Sequence, residues 1–330
     1  MDLIYTDTSY IEKGVLKRCE IDFEVGSVLN SSSTNDFQII LPTDLFPKEI
    51  EEGSLIYEVG SEYGGVVRGF GSDTSKNRVT IYGIMWRGLL SKKIIEPPAN
   101  QAYYQARGEA NLVLADLVND EFNDLLIASD DTSGISVYRD FRYTNMLEGI
   151  ENMLSDQSAR IEITTSYNAE DRIQAIISAV PISDLSNEYE FSNDYGITLN
   201  AKKMKNGVNH VICLGQGELT ERTVIHLYKL EDGTITTDSA NAIKGLDEYT
   251  ITYDYSSAET EEDLIEGGKK QFANNADEES LSITISESVE VGDIVGARER
   301  ITGIYMKKPV TQKVLKGNID RAKVSYKVGE

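Results

Sequence analysis

Along residues 18–25 apolar and polar positions alternate strictly. Cys19, Ile21, Phe23 and Val25 fall on one side, and Arg18, Glu20, Asp22 and Glu24 on the other. A period of two predicts an antiparallel strand with one buried face. A polar stretch through Ser31, Ser32, Ser33, Thr34 and Asn35 follows, then a strand over residues 37–41 that Pro42 stops. Three short strands are predicted over residues 55–59, 65–70 and 78–82, with residues 71–77 as a hairpin loop. Short strands at this spacing suggest a small barrel or sandwich, and Pro97-Pro98 closes it. Residues 1–100 are thus expected to form a first barrel-like β domain.

The period then changes. Ala110, Val113, Leu114, Leu117 and Val118 recur at helical spacing, with Asn111, Asp116 and Asp120 opposite. A second helix is predicted from Asn145 with Thr144 as its N-cap and Met146, Leu147, Ile150, Met153 and Leu154 as its apolar stripe. Strands over residues 160–165 and 172–180 complete an α+β domain spanning 101–186. From 187 to 330 strands return as a second β-rich domain. Residues 210–214 and 222–228 read as a pair, and Tyr249, Ile251, Tyr253 and Tyr255 alternate with Thr250, Thr252 and Asp254. A helix near 258–273 interrupts them, its start marked by capping-box spacing from Ser256 to Glu259 and its end by Lys269 and Lys270. The last strands fall at 281–285, at Ile294-Val295, and through Ala322, Val324, Tyr326 and Val328. The fold class expected is mainly β with an α+β insert.

Charge narrows the function. The 330 residues carry 55 acids against 32 bases, a net −23, which argues against a protein that neutralises nucleic-acid phosphates. No apolar run approaches the roughly 20 residues of a membrane helix. The start, Met1-Asp2-Leu3-Ile4-Tyr5-Thr6-Asp7, has neither the basic nor the apolar part of a signal peptide, so synthesis in a cytoplasm is expected. Both cysteines, Cys19 and Cys213, sit in alternating stretches and read as small buried side chains.

Catalysis needs convergent groups, and each common set falls short. The chain has only two histidines, His210 and His226, on separate predicted strands with no nucleophile nearby in sequence. Gly215-Gln216-Gly217-Glu218-Leu219-Thr220 follows a strand but leads into another strand, so no helix N-terminus is there to hold a pyrophosphate. A tight turn is the better reading. Asp130-Asp131 lacks the spaced ligands of a calcium loop, and Glu261-Glu262-Asp263 reads as helix-start charge. Trp86 is expected to plug one end of the first barrel, and the 18 tyrosines suit half-buried sheet faces or interfaces. No catalytic, cofactor-binding or metal-ligating residues are therefore assigned, and no enzyme activity or cofactor is expected.

Several runs resemble siphophage tail-hub proteins. They are Glu62-Tyr63-Gly64-Gly65-Val66-Val67, Val79-Thr80-Ile81-Tyr82-Gly83 with Trp86, Leu89 and Leu90, and Ile95-Glu96-Pro97-Pro98. Asn35-Asp36-Phe37 and Val291-Gly292-Asp293-Ile294-Val295 with Ile301-Thr302 fit the same family. The resemblance implies a baseplate hub in a virion tail tip, a homotrimer with two barrel-like domains per subunit that match the sixfold tail tube. Implied partners are the distal tail protein, the tail tube and tape measure, and tip or receptor-binding proteins. Larger relatives append lysin or fibre parts; with the chain stopping at Glu330, these are expected on separate proteins. An acidic lumen that keeps passing DNA from sticking would suit the charge. Two alternatives stay open: a phage-encoded cell-wall hydrolase, and the hub of a contractile tail or bacteriocin.

Overall fold

Alternation turns into burial where the sequence leads one to expect it. In the computed structural model, which describes residues 1–28, 34–186, 190–191, 198–284, 289–299 and 301–329, a short hairpin of β1 (Ile4–Thr6) and β2 (Glu12–Val15) comes first. Strand β3 (Glu20–Gly26) then buries Ile21, Phe23 and Val25. Next come β4 (Asp36–Pro42), β5 (Leu55–Tyr57), β6 (Gly64–Asp73) and β7 (Arg78–Met85). Strand β6 runs three residues into the expected hairpin loop. The turn is shortened because Asp73 Oδ1 accepts the amides of Ser75 and Lys76 at 3.0 and 3.2 Å.

Helix α1 (Trp86–Leu90) leaves β7 directly, and all five of its residues are buried. Trp86 does not close a barrel end. It lies inside a core that also holds Tyr57, Val66, Leu114 and Ile150, so sheet and helices share one apolar interior. As the only tryptophan, fully buried, Trp86 should emit to the blue of free tryptophan and resist iodide quenching. Emission at the solvent-exposed wavelength would contradict this packing.

The middle of the chain contributes β8 (Ile94–Ile95), β9 (Tyr104–Glu109), α2 (Ala110–Val118), β10 (Leu126–Ala128), β11 (Ser136–Phe141) and β12 (Thr144–Asn145). Then follow α3 (Met146–Ser155), β13 (Ala159–Tyr167) and β14 (Ile173–Pro181). The expected hairpin is β13–β14, to which β10 adds in parallel. The cap of α3 is Asn145 and not Thr144: its side chain accepts the Glu148 amide at 3.3 Å, while Thr144 pairs with Ile95 in a short ladder.

The remaining elements are β15 (Glu190–Phe191), β16 (Thr198–Met204), β17 (His210–Leu214), β18 (Val224–Lys229), β19 (Ile235–Thr236) and β20 (Thr250–Asp254). They are followed by α4 (Glu261–Asn274), β21 (Glu278–Thr284), β22 (Ile294–Arg298), β23 (Tyr305–Asn318) and β24 (Lys323–Val328). The capping box of α4 joins Thr260 to Asp263, four residues beyond the expected Ser256. Residues 255–258 instead make a turn, closed by the Ala258 amide on the Tyr255 carbonyl. Ile285, the end of one expected strand, lies outside the described residues.

Compactness groups the chain differently from three consecutive segments. One unit comprises Met1–Asn200 with Leu281–Glu330, and the other is Ala201–Ser280. Two contacts explain the first unit. The core just described crosses residue 100, and β23 pairs antiparallel with β3 over Gln312 to Asn318, which brings the C-terminal strands beside the N-terminal ones. Its main ladder runs β21–β24–β23–β3–β4–β7–β6–β5–β1–β2. In the second unit, β19–β18–β17–β20 form a sheet. Val211, Cys213 and Leu227 from that sheet pack with Leu264 and Phe272 of α4. The chain is mainly β with an α+β portion.

Candidate functional site

In the first unit the least common arrangement is a buried guanidinium between two carboxylates. Arg87, only 2% exposed, donates to both oxygens of Glu62, from Nε at 2.7 Å and Nη2 at 3.1 Å. Its Nη1 donates to Glu151 Oε1 at 3.3 Å, and Nη2 also reaches the Ile161 carbonyl at 3.4 Å. The other Glu151 oxygen accepts Ser27 Oγ at 2.6 Å and the Val28 amide at 2.9 Å. One side chain on α1 thereby ties the end of β3, the approach to β6, α3 and β13 together. Burial pulls the Arg87 pKa down, but Glu62 and then Glu151 push it up by more, so it stays charged. With two carboxylates to one cation, one acid is in surplus. Burial pushes the more loosely held Glu151 carboxyl up, against the pull of Arg87 and Ser27.

This junction floors a cavity of about 260 Å³ whose wall includes Val28, Arg160, Ile161, Ile182 and Pro309. Across it, Arg160 Nε donates to Asp293 Oδ1 at 2.9 Å, and Asp293 also accepts the Ser183 and Glu290 amides at 3.0 and 3.1 Å. The turn that leads into β22 is therefore pinned to β13 through Asp293. A second carboxylate knot lies near the chain start: Glu12 Oε1 accepts the hydroxyls of Tyr57 and Tyr167 at 2.7 and 2.5 Å. Each of these carboxylates is engaged by partners that tie separate elements together. These are joints.

The other singled-out residues fall as follows. Both cysteines are buried and unpaired; burial raises the Cys19 thiol to about 11 and raises Cys213 as well, which keeps them unreactive. Gly215 and Gln216 pair back onto Thr223, closing a loop with a 3-10 turn at Leu219–Glu221 that leads into β18, a longer connection than the tight turn expected. Asp131 lies in a loop where its carbonyl accepts from Asn111 at 2.7 Å. Glu261, Glu262 and Asp263 form the first turn of α4. Among the described residues no group of three or more His, Cys, Asp or Glu side chains is placed to hold a metal ion, and no helix is long and apolar enough to cross a membrane.

One contact in the second unit was not foreseen. His210 Nε2 lies 2.9 Å from His226 Nδ1, across the β17–β18 ladder. His210 Nδ1 contacts Thr250 Oγ1 at 2.9 Å and Glu248 Oε1 at 3.1 Å. Hydroxyl and carboxylate sit on the same ring nitrogen, so this is not a nucleophile on one side of a base with an orienting acid on the other. The predicted strand pair held the signal: once His210 is set opposite Tyr228, His226 is its diagonal neighbour.

No family model matches the sequence, and no curated protein matches it. Solved structures do match in fold. The 43 kDa tail protein of prophage MuSo2 from Shewanella oneidensis superposes with a TM-score of 0.55, at 10% identity, over 99% of this chain and 98% of that one. The tail protein of Neisseria meningitidis MC58 gives 0.53 at 11% identity, over 100% and 96%. A chain of the phage P2 baseplate, in its activated conformation with Ca, gives 0.52 at 10% identity, over 99% and 98%. The fold is that of phage tail and baseplate proteins. The alignments run over nearly the full length of both partners, the residues of the second unit included. At 10–11% identity the shared property is backbone path, and the joints at Arg87 and Asp293 are described for this chain alone.

Proposed function

We propose that this chain is a structural bacteriophage or prophage protein of the tail tip, a baseplate hub that closes the tail tube and connects it to distal tail and tip proteins. The observation that carries the reading is the end-to-end agreement in fold with tail proteins. In this reading the chain acts as a homotrimer by shape and symmetric contact, not by catalysis. Its barrel-like β regions meet the tail tube and tape measure. The protein is made in the bacterial host cytoplasm and works in the virion, and its acidic surface keeps passing DNA from adhering.

Light scattering and negative-stain imaging of the purified chain, alone and mixed with a tail-tube protein of the same phage or prophage, test the reading. Three chains of 36.7 kDa should give a ring of about 110 kDa. A strict monomer under both conditions would overturn it. Release of sugar or peptide from purified cell wall, lost on mutating one carboxylate, would favour a hydrolase instead.

A further inference from the structure

One face of the first unit's sheet carries its charges sorted by sign. Strands β24, β23, β3 and β4 lie side by side, and their outward positions fall into two halves. The β23–β24 half bears Lys316, Lys323 and Lys327, and the β3–β4 half bears Asp22, Glu24 and Asp36. We propose that this face is a self-complementary docking surface on which a second copy of the chain pairs, lysines over carboxylates. The proposal goes beyond the hub reading, because a ring of three needs a different, head-to-tail contact.

Register puts all six residues on one face. Lys316 stands opposite Lys323 in one ladder and opposite Asp22 in the next. Lys327 lies four residues beyond Lys323, and Glu24 two beyond Asp22. Asp36 lies two residues before Gln38, the partner of Asp22, so the period of two keeps all of them outward. The alternate residues Leu315, Tyr326, Phe23 and Phe37 are buried on the other side. At the boundary between the halves, Lys316 Nζ donates to Asp22 Oδ2 at 2.5 Å. Away from it like charges crowd. Lysine faces lysine across β23–β24, which costs the isolated fold. Burial, with Glu24 and Asp22 alongside, pushes the Asp36 carboxyl up. A facing surface with the signs reversed relieves both halves at once.

Symmetry supplies that surface from the chain itself. Half a turn about an axis parallel to the strands, set between β23 and β3, lays β23 on β3 and β24 on β4 of the other copy. Lys316 then stands over Asp22, and Lys323 and Lys327 flank Asp36. An axis across the strands would instead set lysine on lysine. Four strands at about 4.8 Å spacing make a contact about 14 Å wide, which is small, so the pair is transient. All three lysines are exposed, so salt weakens it.

The simpler account is a solvated face, and sedimentation of the full chain separates the two. At low salt and chain concentrations up to about 0.2 mM, mass should double, from one chain to two or, where rings form, from three to six. About 0.5 M salt should reverse the doubling. Lys316→Glu with Lys323→Glu should abolish it, and so should Asp22→Lys with Glu24→Lys. An equimolar mixture of these two variants should restore it, because each then meets the opposite sign. No doubling at low salt would overturn the proposal, as would doubling that salt and both reversals leave unmoved, or a mixture that stays unpaired. A three-chain mass that neither salt nor the variants change would overturn the pairing and leave the hub reading standing. Should a variant fail to fold, carbodiimide cross-linking of isotopically heavy and light native chains decides. Lys323 must join Asp36 between a heavy and a light chain at low salt, and absence of that link would overturn the pairing.

Discussion

Replacing Arg87 by alanine is expected to cost the fold about 3–5 kcal/mol, because it leaves two buried carboxylates facing each other with no cation between them. The Glu62 side chain is 9% exposed and that of Glu151 is 12% exposed, so water cannot take over the solvation that the guanidinium supplies. The loss should spread beyond one contact, since Ser27 and Val28 depend on the Glu151 carboxylate that Arg87 holds. Arg87→Lys should fall between wild type and alanine. A lysine keeps the charge but cannot grip both oxygens of Glu62 while also reaching Glu151. Adding Glu151→Gln to Arg87→Ala should restore part of the stability by removing one stranded charge. Urea midpoints of the four proteins measure this series. An alanine variant within about 0.5 kcal/mol of wild type would show that the junction is not a fastening point.

Legibility followed the locality of the signal. Strand β3 was readable because its alternation is unbroken, and α2 because its apolar stripe is complete. The longest strand, β23, was not. A bulge between Val310 and Gln312 shifts its register, and Thr311, Gln312 and Lys313 are buried in place of apolar residues. Lys313 is tolerated there because its ammonium meets both oxygens of Glu290 at 2.7 Å. Losing β23 from the reading also lost the pairing with β3, and with it the joining of the two chain ends into one unit. The cap of α4 failed for another reason. Ser256 and Thr260 each have an acid three residues on, and only the packing of Leu264 and Phe272 selects the second. The Arg87 junction joins residues 25 and 64 positions apart, a distance at which no local pattern speaks. Likewise the strands bearing His210 and His226 were visible, but their register, which brings the rings together, was not.

Gly65→Ala is expected to be nearly as damaging, and Gly69→Ala on the same strand to be harmless. A Cβ on Gly65 would lie 1.9 Å from the Ile84 carbonyl oxygen and 2.9 Å from the Met85 Cα. Those atoms are backbone of β7, directly opposite in the ladder, so no side chain can swing aside to make room. Strands β6 and β7 would have to part where Trp86 and Val66 enter the shared core, and overpacking alone costs about 1–3 kcal/mol before any ladder bond is lost. At Gly69 a Cβ would meet nothing within 4 Å, and the backbone is not in the left-handed region. Alanine there should leave stability unchanged or raise it by up to about 1 kcal/mol, through a less flexible unfolded chain. Thermal midpoints of both variants give the comparison, and equal shifts in one direction would refute the steric argument. The glycine in the Gly64-Gly65-Val66-Val67 run, part of the resemblance to tail hubs, thus answers to a packing demand. Two strands must approach closely enough to carry Trp86 inward, and only a residue without a side chain lets them.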